Sequence, residues 1–555
     1  MESLNLFFFA FALFLTVVAM ARLLDKTRSE GEFLPGDRWE RALLLCFALV
    51  ALFVRVYQFG QVPGGFNQDG AMAAIDAKAL ADYGTDHYGM RYPVHLTAWG
   101  YGQMSALLSY LMVPFIKLMG LNPVSARLPQ LLVSLLGLGM LYFFGRDAFG
   151  KKAALVIFAF AAITPWHILQ SRWALDCNLY PHFFLFGVYF LNRSLRARHR
   201  KLLLCLSMVM FGLCMYCYGI AIYTLPLFLL LACVYLLAKR KVRWDEALLA
   251  LAVWLAVAWP FIMVMAINFF QWDTIETPLF TLPYFSGSIR SGDILFFSEN
   301  VLAQLWENIK SLQRTVFAQG NDLPWNNIPA FGSIYQFSLP FAVLGFVYTL
   351  LQVRKNDAAV LLLFFFITGL WCGISTNGVN INRVNIIFYP QIIFTALGID
   401  TVLRRVGRFP LHLGLAAVYL VSFALLCSTY FGSYAREMEY YFFKDFGSAL
   451  STLKDSEADK IYITGRSQGE NAGYVSEVLT LFYHETDAEY FQGKRELPGL
   501  LPYEQRFTYA NMEDIRIDPE ENAAYVAAAE ELVYFDIASY DIQQYGNYFV
   551  LRSID

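Results

Sequence analysis

Tyr101-Gly-Gln-Met-Ser-Ala-Leu-Leu-Ser-Tyr-Leu-Met-Val-Pro114-Phe-Ile-Lys117-Leu-Met119 is apolar enough to look like a membrane span, and whether it crosses decides the topology of everything around it. Gly102, Pro114 and Lys117 break the run, which suits a helix that lies in the interface or re-enters from one side. With that assignment the sidedness of every other loop is consistent. If the segment crossed, Asp69 and Asp176 would stand on opposite faces and share no site.

The flanking chain is a series of long apolar runs. At 57% hydrophobic and 16% charged over 555 residues, it is too apolar for a soluble protein and reads as a polytopic α-helical membrane protein. Spans are expected near residues 4–22, 42–59, 127–145, 153–170, 180–192, 202–218, 221–238, 247–268, 335–353, 358–375, 385–403 and 411–430. The first lacks a basic segment before it and a small-residue cleavage site after it, so it reads as a retained span.

Three basic clusters, Arg193 to Lys201, Lys239 to Arg243 and Arg404 to Arg408, are cytoplasmic by the positive-inside rule. Walking outward from them puts Arg146–Lys152 and Arg354–Asp357 inside. Two long loops, 60–126 and 269–334, and everything after residue 430 then fall outside the cell membrane.

From Tyr430 onward there are 23 Asp and Glu against 10 Lys and Arg, a balance of −13 that leaves +10 for the membrane body. This acidic tail reads as a small α/β domain over 431–555, following a transferase module at 42–430 and an N-terminal helix and loop at 1–41. In the tail we expect helices at Phe443–Lys454, Ser476–His484 and Ala523–Glu530, and strands at Lys460–Thr464, Leu532–Asp536 and Asn547–Leu551. Gly465-Arg-Ser-Gln-Gly469 reads as an ordinary turn. Seven of the eight cysteines sit in apolar runs and the tail has none, which excludes a disulfide framework. The charge pattern calls for no nucleic-acid partner.

The polar residues gather at the outer ends of spans. Asp69 precedes an amphipathic run to Leu80 that includes Lys78; its simplest role is a helix cap, its chemical role a proton acceptor. His167, Arg172, Asp176, Asn178 and Tyr180 form a second group, and Asn377, Asn380, Asn382, Arg383 and Asn385 a third. Arg172 and Asp176 also have the spacing of an intrahelical pair, and Arg383 that of a side chain reaching for headgroups. Taken together, though, carboxylates that accept protons beside arginines that hold phosphate suit a substrate with a phosphate at the bilayer surface and an apolar tail, such as a polyprenyl-phosphate sugar. Asp69 is the expected catalytic base and Asp176 the alternative; Arg383 and Arg172 are the expected phosphate clamp. His95 and Trp99, before the interfacial stretch, and Asp322, in the polar run Gln319–Asn327, are expected to contact substrate.

An outer-loop Asp after the first core span, Ser-Ala-Arg127-Leu-Pro129, Phe-Gly145-Arg146-Asp-Ala-Phe-Gly150 leading to Thr-Pro165-Trp166-His167, and Asn382-Arg383-Val-Asn-Ile-Ile-Phe-Tyr-Pro390 resemble, in that order, glycosyltransferase family 39. The resemblance covers roughly residues 42–405 and embraces the protein O-mannosyltransferases and aminoarabinose transferases. It implies the C-type glycosyltransferase membrane fold, a dolichyl- or undecaprenyl-phosphate sugar donor, an inverting transfer, a bacterial member without a β-trefoil insert, and Asp69 as the catalytic carboxylate. Many members carry an acidic pair where this chain has Asp69-Gly70, and a Lys-Pro-Pro where it has Arg91-Tyr-Pro93. No cofactor is required on this reading, although Asp69 and Asp176 are the oxygen ligands a divalent ion would use. Two other readings stand beside it: a flippase for a lipid-linked sugar, which predicts mid-span charges and a repeat, and a scaffold whose acidic tail binds a partner.

Overall fold

The computed structural model describes residues 2–24, 36–100, 102–286, 294–320, 322–467 and 473–554. Tyr101, Asn321 and the Gln468-Gly469 half of the expected turn lie outside the described residues.

Each expected span is occupied by helix. In chain order the helices are α1 (Glu2–Leu24), α2 (Asp37–Val56), α3 (Gln68–Tyr83), α4 (Leu107–Met119), α5 (Pro123–Phe149), α6 (Lys151–Ile163), α7 (Pro165–Gln170), α8 (Tyr180–Ser194), α9 (Arg200–Cys217), α10 (Ala221–Ala238) and α11 (Trp244–Phe270). They continue as α12 (Val301–Leu312), α13 (Leu339–Gln352), α14 (Asp357–Ser375), α15 (Ile381–Val384), α16 (Phe388–Val406), α17 (Phe409–Tyr430), α18 (Ser433–Tyr441), α19 (Lys444–Ser451) and α20 (Gly473–Tyr483). Among the described residues eight helices are long and apolar enough to cross a bilayer by length and composition. The other four expected spans hold helices that are shorter or carry more charge. A helix of 15 residues such as α8 reaches about 22 Å, short of a hydrocarbon core of about 30 Å. The interval 153–170 is split at Thr164, where Pro165 starts a new helix because it cannot donate to the previous turn.

The decisive stretch divides in two. Gly102–Met104 forms strand β2, paired antiparallel with β1 (Leu96–Ala98), and α4 follows with 13 residues, about 20 Å, so it does not span as a straight helix.

At the centre lies α16, in the segment Ile381–Val406, whose apolar window is 94% buried. It crosses α13 at two glycines: a Cβ on Gly345 would lie 1.8 Å from the Phe394 carbonyl oxygen, and one on Gly398 would lie 2.0 Å from that of Phe341. Small residues thus let the two backbones meet, as close-packed membrane helices require. The basic loops meet at one end of the bundle: Arg193 bonds Asp147 at 3.1 Å, Asn356 donates to the Ala148 carbonyl at 2.7 Å, Lys241 pairs with Asp357 at 2.9 Å, and Arg22 donates to the Arg405 carbonyl at 2.6 Å.

At the opposite end a hairpin, β3 (Ile275–Glu276) with β4 (Thr281–Leu282), and the amphipathic α12 occupy the second long loop, where no element was expected. Trp306 and Leu302 of α12 are exposed, an apolar face suited to the interface.

After α17 the chain builds a five-stranded sheet, β5 (Lys460–Ile463), β6 (Phe507–Tyr509), β7 (Ala523–Ala528), β8 (Tyr540–Tyr545) and β9 (Tyr548–Ser553), in the order β6-β5-β7-β9-β8. Two tail expectations fail. Ala523–Ala528 is the central strand, parallel to β5 and antiparallel to β9, with Ala529 and Glu530 starting a 3-10 turn, Ala529–Tyr534, that takes in most of Leu532–Asp536. Every residue of β7 is buried, so a run of alanines that favours helix in isolation is held extended by ladders on both sides.

Candidate active site at the end remote from the basic loops

Asp69 is not the cap of its helix. Asn67 holds the N-cap position, α3 starts at Gln68, and Asp69 lies half-buried in the first turn, where the unpaired backbone N–H groups favour a negative charge. Gly70 lets this turn dock on the 171–179 segment. A Cβ there would meet the Ala174 carbonyl oxygen at 2.9 Å, and Asn67 Nδ2 donates to that same oxygen at 3.3 Å. The Asp-Gly sequence, where an acidic pair was the family pattern, therefore has a packing reason.

Docking brings Asp69 beside Asp176, in the 3-10 turn Asp176–Leu179 that leads into α8. Burial first, and then the charge of Asp69, pushes the Asp176 carboxyl up to about 7, against the backbone N–H of Cys177, which donates at 2.7 Å, and donors from Ser105. The buried Cys177 thiol is raised well above its usual range by burial, then Asp176 and Asp69. Tyr218, in the loop between α9 and α10, is raised by burial, then Cys177 and Asp176, and lowered by Arg383. Asp69, Asp176, Ser105, Tyr218 and Arg383 thus belong to one neighbourhood. Two carboxylates in such a place oppose each other's ionisation, which is part of why the Asp176 carboxyl is raised.

The Asp176 turn is fixed from behind. Asn385 Nδ2 donates to the Cys177 carbonyl at 2.7 Å, and Gln130 Nε2 to the Asn178 carbonyl at 3.3 Å. Arg383 sits in α15, capped by Asn380, whose Oδ1 accepts the Arg383 N–H at 3.0 Å, and its guanidinium donates to the Asn377 carbonyl. Asp322 Oδ2 accepts the Ile381 N–H at 2.8 Å and its Oδ1 accepts Asn326 Nδ2 at 2.9 Å, so it braces the turn that carries Arg383. Asn382 lies beside Arg383, half-buried.

Other expected residues are placed elsewhere. Arg172 is fully buried and donates to the carbonyls of Val54, Arg55, Tyr57, Gln58 and Val62, with Phe431 5.1 Å from its guanidinium carbon. It is neither a phosphate clamp nor paired with Asp176; it ties down the end of α2, where the last carbonyls lack helical partners. Arg127 does the same one step on, donating to Gly60, Pro63 and Gly65. Lys78 pairs with Asp82 at 2.7 Å and stands nine residues from Asp69, about 14 Å along α3 and on its other side. Tyr180 turns into the bundle, its hydroxyl 2.7 Å from that of Thr224.

His167 belongs to a buried chain of polar groups. Arg55 Nη2 is 3.1 Å from His167 Nδ1, His167 Nε2 3.2 Å from the Tyr389 hydroxyl, and that hydroxyl 2.6 Å from His182 Nδ1. Gln170 Oε1 accepts from Gln130 Nε2 at 2.7 Å and lies 3.2 Å from His182 Nε2, so the chain ends at the Asn178 carbonyl behind Asp176. Asn178 contributes that carbonyl. Arg55 was missed although a lone charge inside a span is itself a signal; Tyr218 and Ser105 carry no such signal.

His95 is buried between Phe261 and Phe285, one position beyond the Leu96↔Met104 pair and hence across from Ser105; burial lowers its pKa to about 4, so it is neutral. Trp99 stacks on His87 at 3.6 Å, and His87 bonds the buried Asp76 at 2.6 Å. This second cluster lies further along α3, apart from Asp69.

Among the described residues no group of three or more His, Cys, Asp or Glu is arranged to hold a metal ion.

Residues 105–266 match the family model of the dolichyl-phosphate-mannose-protein mannosyltransferases. The chain is similar in structure to ArnT from Cupriavidus metallidurans bound to undecaprenyl phosphate, with a TM-score of 0.54 and 13% identity, covering 92% of this chain and 98% of that one. For the same protein in the apo state the values are 0.53, 14%, 93% and 98%. The oligosaccharyltransferase of Archaeoglobus fulgidus in complex with Zn and sulfate gives 0.50 and 13%, covering 92% of this chain and 73% of that one. No curated protein matches in sequence. The resemblance to glycosyltransferase family 39 is borne out: the chain carries the C-type glycosyltransferase membrane fold, and its residues 105–266 match the mannosyltransferase family model.

Proposed function

We propose that this chain is an integral-membrane glycosyltransferase that moves a sugar from a polyprenyl-phosphate donor to an acceptor hydroxyl on the extracytoplasmic side, with inversion. The observation that carries the proposal is the pairing of Asp69 with Asp176 at the end of the bundle remote from the basic loops. A glycosyl transfer needs a base for the acceptor hydroxyl and cations or donors for the departing phosphate. Asp69 is the base, Asp176 shares its proton, and Arg383 with Tyr218 receives the phosphate. The family match and the solved relative holding undecaprenyl phosphate support the donor class.

In this reading residues 42–430 are the transferase module, reached from an N-terminal helix and cytoplasmic loop at 1–41. Residues 431–555 form an extracytoplasmic domain in the cell membrane's outer space, since the basic loops take the cytoplasmic side.

The test is Asp69→Asn in purified full-length protein with a polyprenyl-phosphate sugar donor. Transfer is expected to fall at least about a hundred-fold with donor binding retained; near wild-type transfer removes Asp69 from the role and makes Asp176 the candidate base.

A further inference from the structure

α3 is tied at both ends to residues beyond the membrane helices. Near its start, Phe66 is fully buried; its N–H donates to the Phe442 carbonyl at 2.6 Å and its ring lies on Phe482 of α20 with centroids 4.5 Å apart and planes 2° from parallel. Arg127 covers the other side, its guanidinium carbon 5.1 Å from the Phe66 ring centre and 5.9 Å from that of Phe442. The approach is close enough to demand glycine at position 65, where φ is +78° and a Cβ would stand 2.1 Å from the Phe442 carbonyl oxygen. At the far end of α3 the Tyr83 hydroxyl donates to Asp487 at 2.6 Å, and Gln492 Nε2 donates to the Asp86 carbonyl at 3.0 Å.

We propose that the C-terminal region positions the reacting carboxylate: the stack of Phe66 on Phe482, with the Phe442 carbonyl, sets where α3 begins and so where Asp69 stands, three residues on. This rests on the role given to Asp69 above. Phe66 and Phe482 are positioning residues, since neither is argued to touch substrate. An offset of about 1 Å in a catalytic group costs of the order of a hundred-fold in rate, so a flat aromatic contact that fixes the first turn of a helix controls turnover without contributing to donor binding.

The experiment uses the full chain in nanodiscs with Phe482→Ala, Phe482→Tyr, Phe66→Ala and the double alanine variant. The expected result is a drop of about ten-fold or more in kcat for Phe482→Ala, with the Kd for undecaprenyl phosphate unchanged, recovery in Phe482→Tyr, and a double variant no worse than the worse single one. A second measurement needs no catalysis. In an Asp69→Cys background, labelling at position 69 by a water-soluble maleimide, read by peptide mass spectrometry, should accelerate several-fold on Phe482→Ala and return with Phe482→Tyr. Unchanged labelling, or fully additive losses of kcat, overturns the proposal. If labelling responds but the unmutated chain transfers no sugar from any polyprenyl phosphate tried, positioning stands and the transferase reading falls.

Discussion

Asn385 reaches from the turn before α16 to the Cys177 carbonyl at 2.7 Å, so the residue next to Asp176 is held by a segment more than two hundred positions later in the chain. The contact joins the Arg383 side of the site to the Asp176 side. Asn385→Ala leaves a buried carbonyl without its donor, a cost of about 1–3 kcal/mol, and frees the Asp176 turn. The expected outcome is a lower unfolding midpoint together with reduced transfer, checked by thermal melting and kinetics on one preparation.

The elevated Asp176 carboxyl makes stability depend on pH in a defined direction. Its ordinary value is 3.8 and its folded value about 7. Between them the folded state keeps a proton that the unfolded chain has released. This contribution is therefore fully present below about pH 4 and is lost as pH rises through 7. Melting temperatures measured from pH 5 to 8 should fall less steeply in Asp176→Asn than in the unmutated chain, and Asp69→Asn should reduce the slope as well, because one cause of the elevation is gone.

Lys78 should prove dispensable. Its pair with Asp82 is partly exposed, and such pairs contribute about 0–1 kcal/mol. Lys78→Ala is expected to keep transfer within about two-fold of the unmutated rate, given its place on the other side of α3 from Asp69; a larger loss would return it to the site.

Arg172, by contrast, should tolerate no replacement. Five carbonyls depend on its planar fork, which a lysine ammonium cannot serve together. Both Arg172→Ala and Arg172→Lys should destabilise by at least about 3 kcal/mol, since each orphaned buried group costs about 1–3. Detergent stability of the purified variants measures this directly.

Asp322→Ala should weaken lipid-phosphate binding with Arg383 still present, because the Ile381 N–H loses its acceptor and α15 its brace. Arg383→Ala should weaken that binding further, and Arg383→Lys restore part of it, since a single ammonium lacks paired donors. Titration with undecaprenyl phosphate compares the three.

Much of the architecture was legible because a bilayer imposes a coarse rule that apolar runs obey: each expected span holds a helix, and the stretch read as interfacial holds a short strand and a 13-residue helix. The site was half legible. Asp69 and Asp176 could be found as polar residues at span ends, but the same signal picked out Arg172, Lys78 and Asp322, whose partners, carbonyls for Arg172, a carboxylate for Lys78, and a backbone N–H and an amide for Asp322, pattern alone cannot place. Tyr218 was invisible because nothing local distinguishes it, and Asn385 stood out only as one of a polar group at a span end; distant chain brings both to Asp176. β7 misled for the opposite reason, local preference overruled by two neighbouring strands.

Arg55 lets the order of assembly be read. Its guanidinium is fully buried and donates to the carbonyls of Ala51, Ala161 and Ala162 and to His167. All but the first of those partners are synthesised more than a hundred residues later. A buried guanidinium is costly unless its N–H groups are paired, and most of its partners come from that later chain. The end of α2 therefore reaches its buried arrangement only when the junction of α6 and α7 is packed against it.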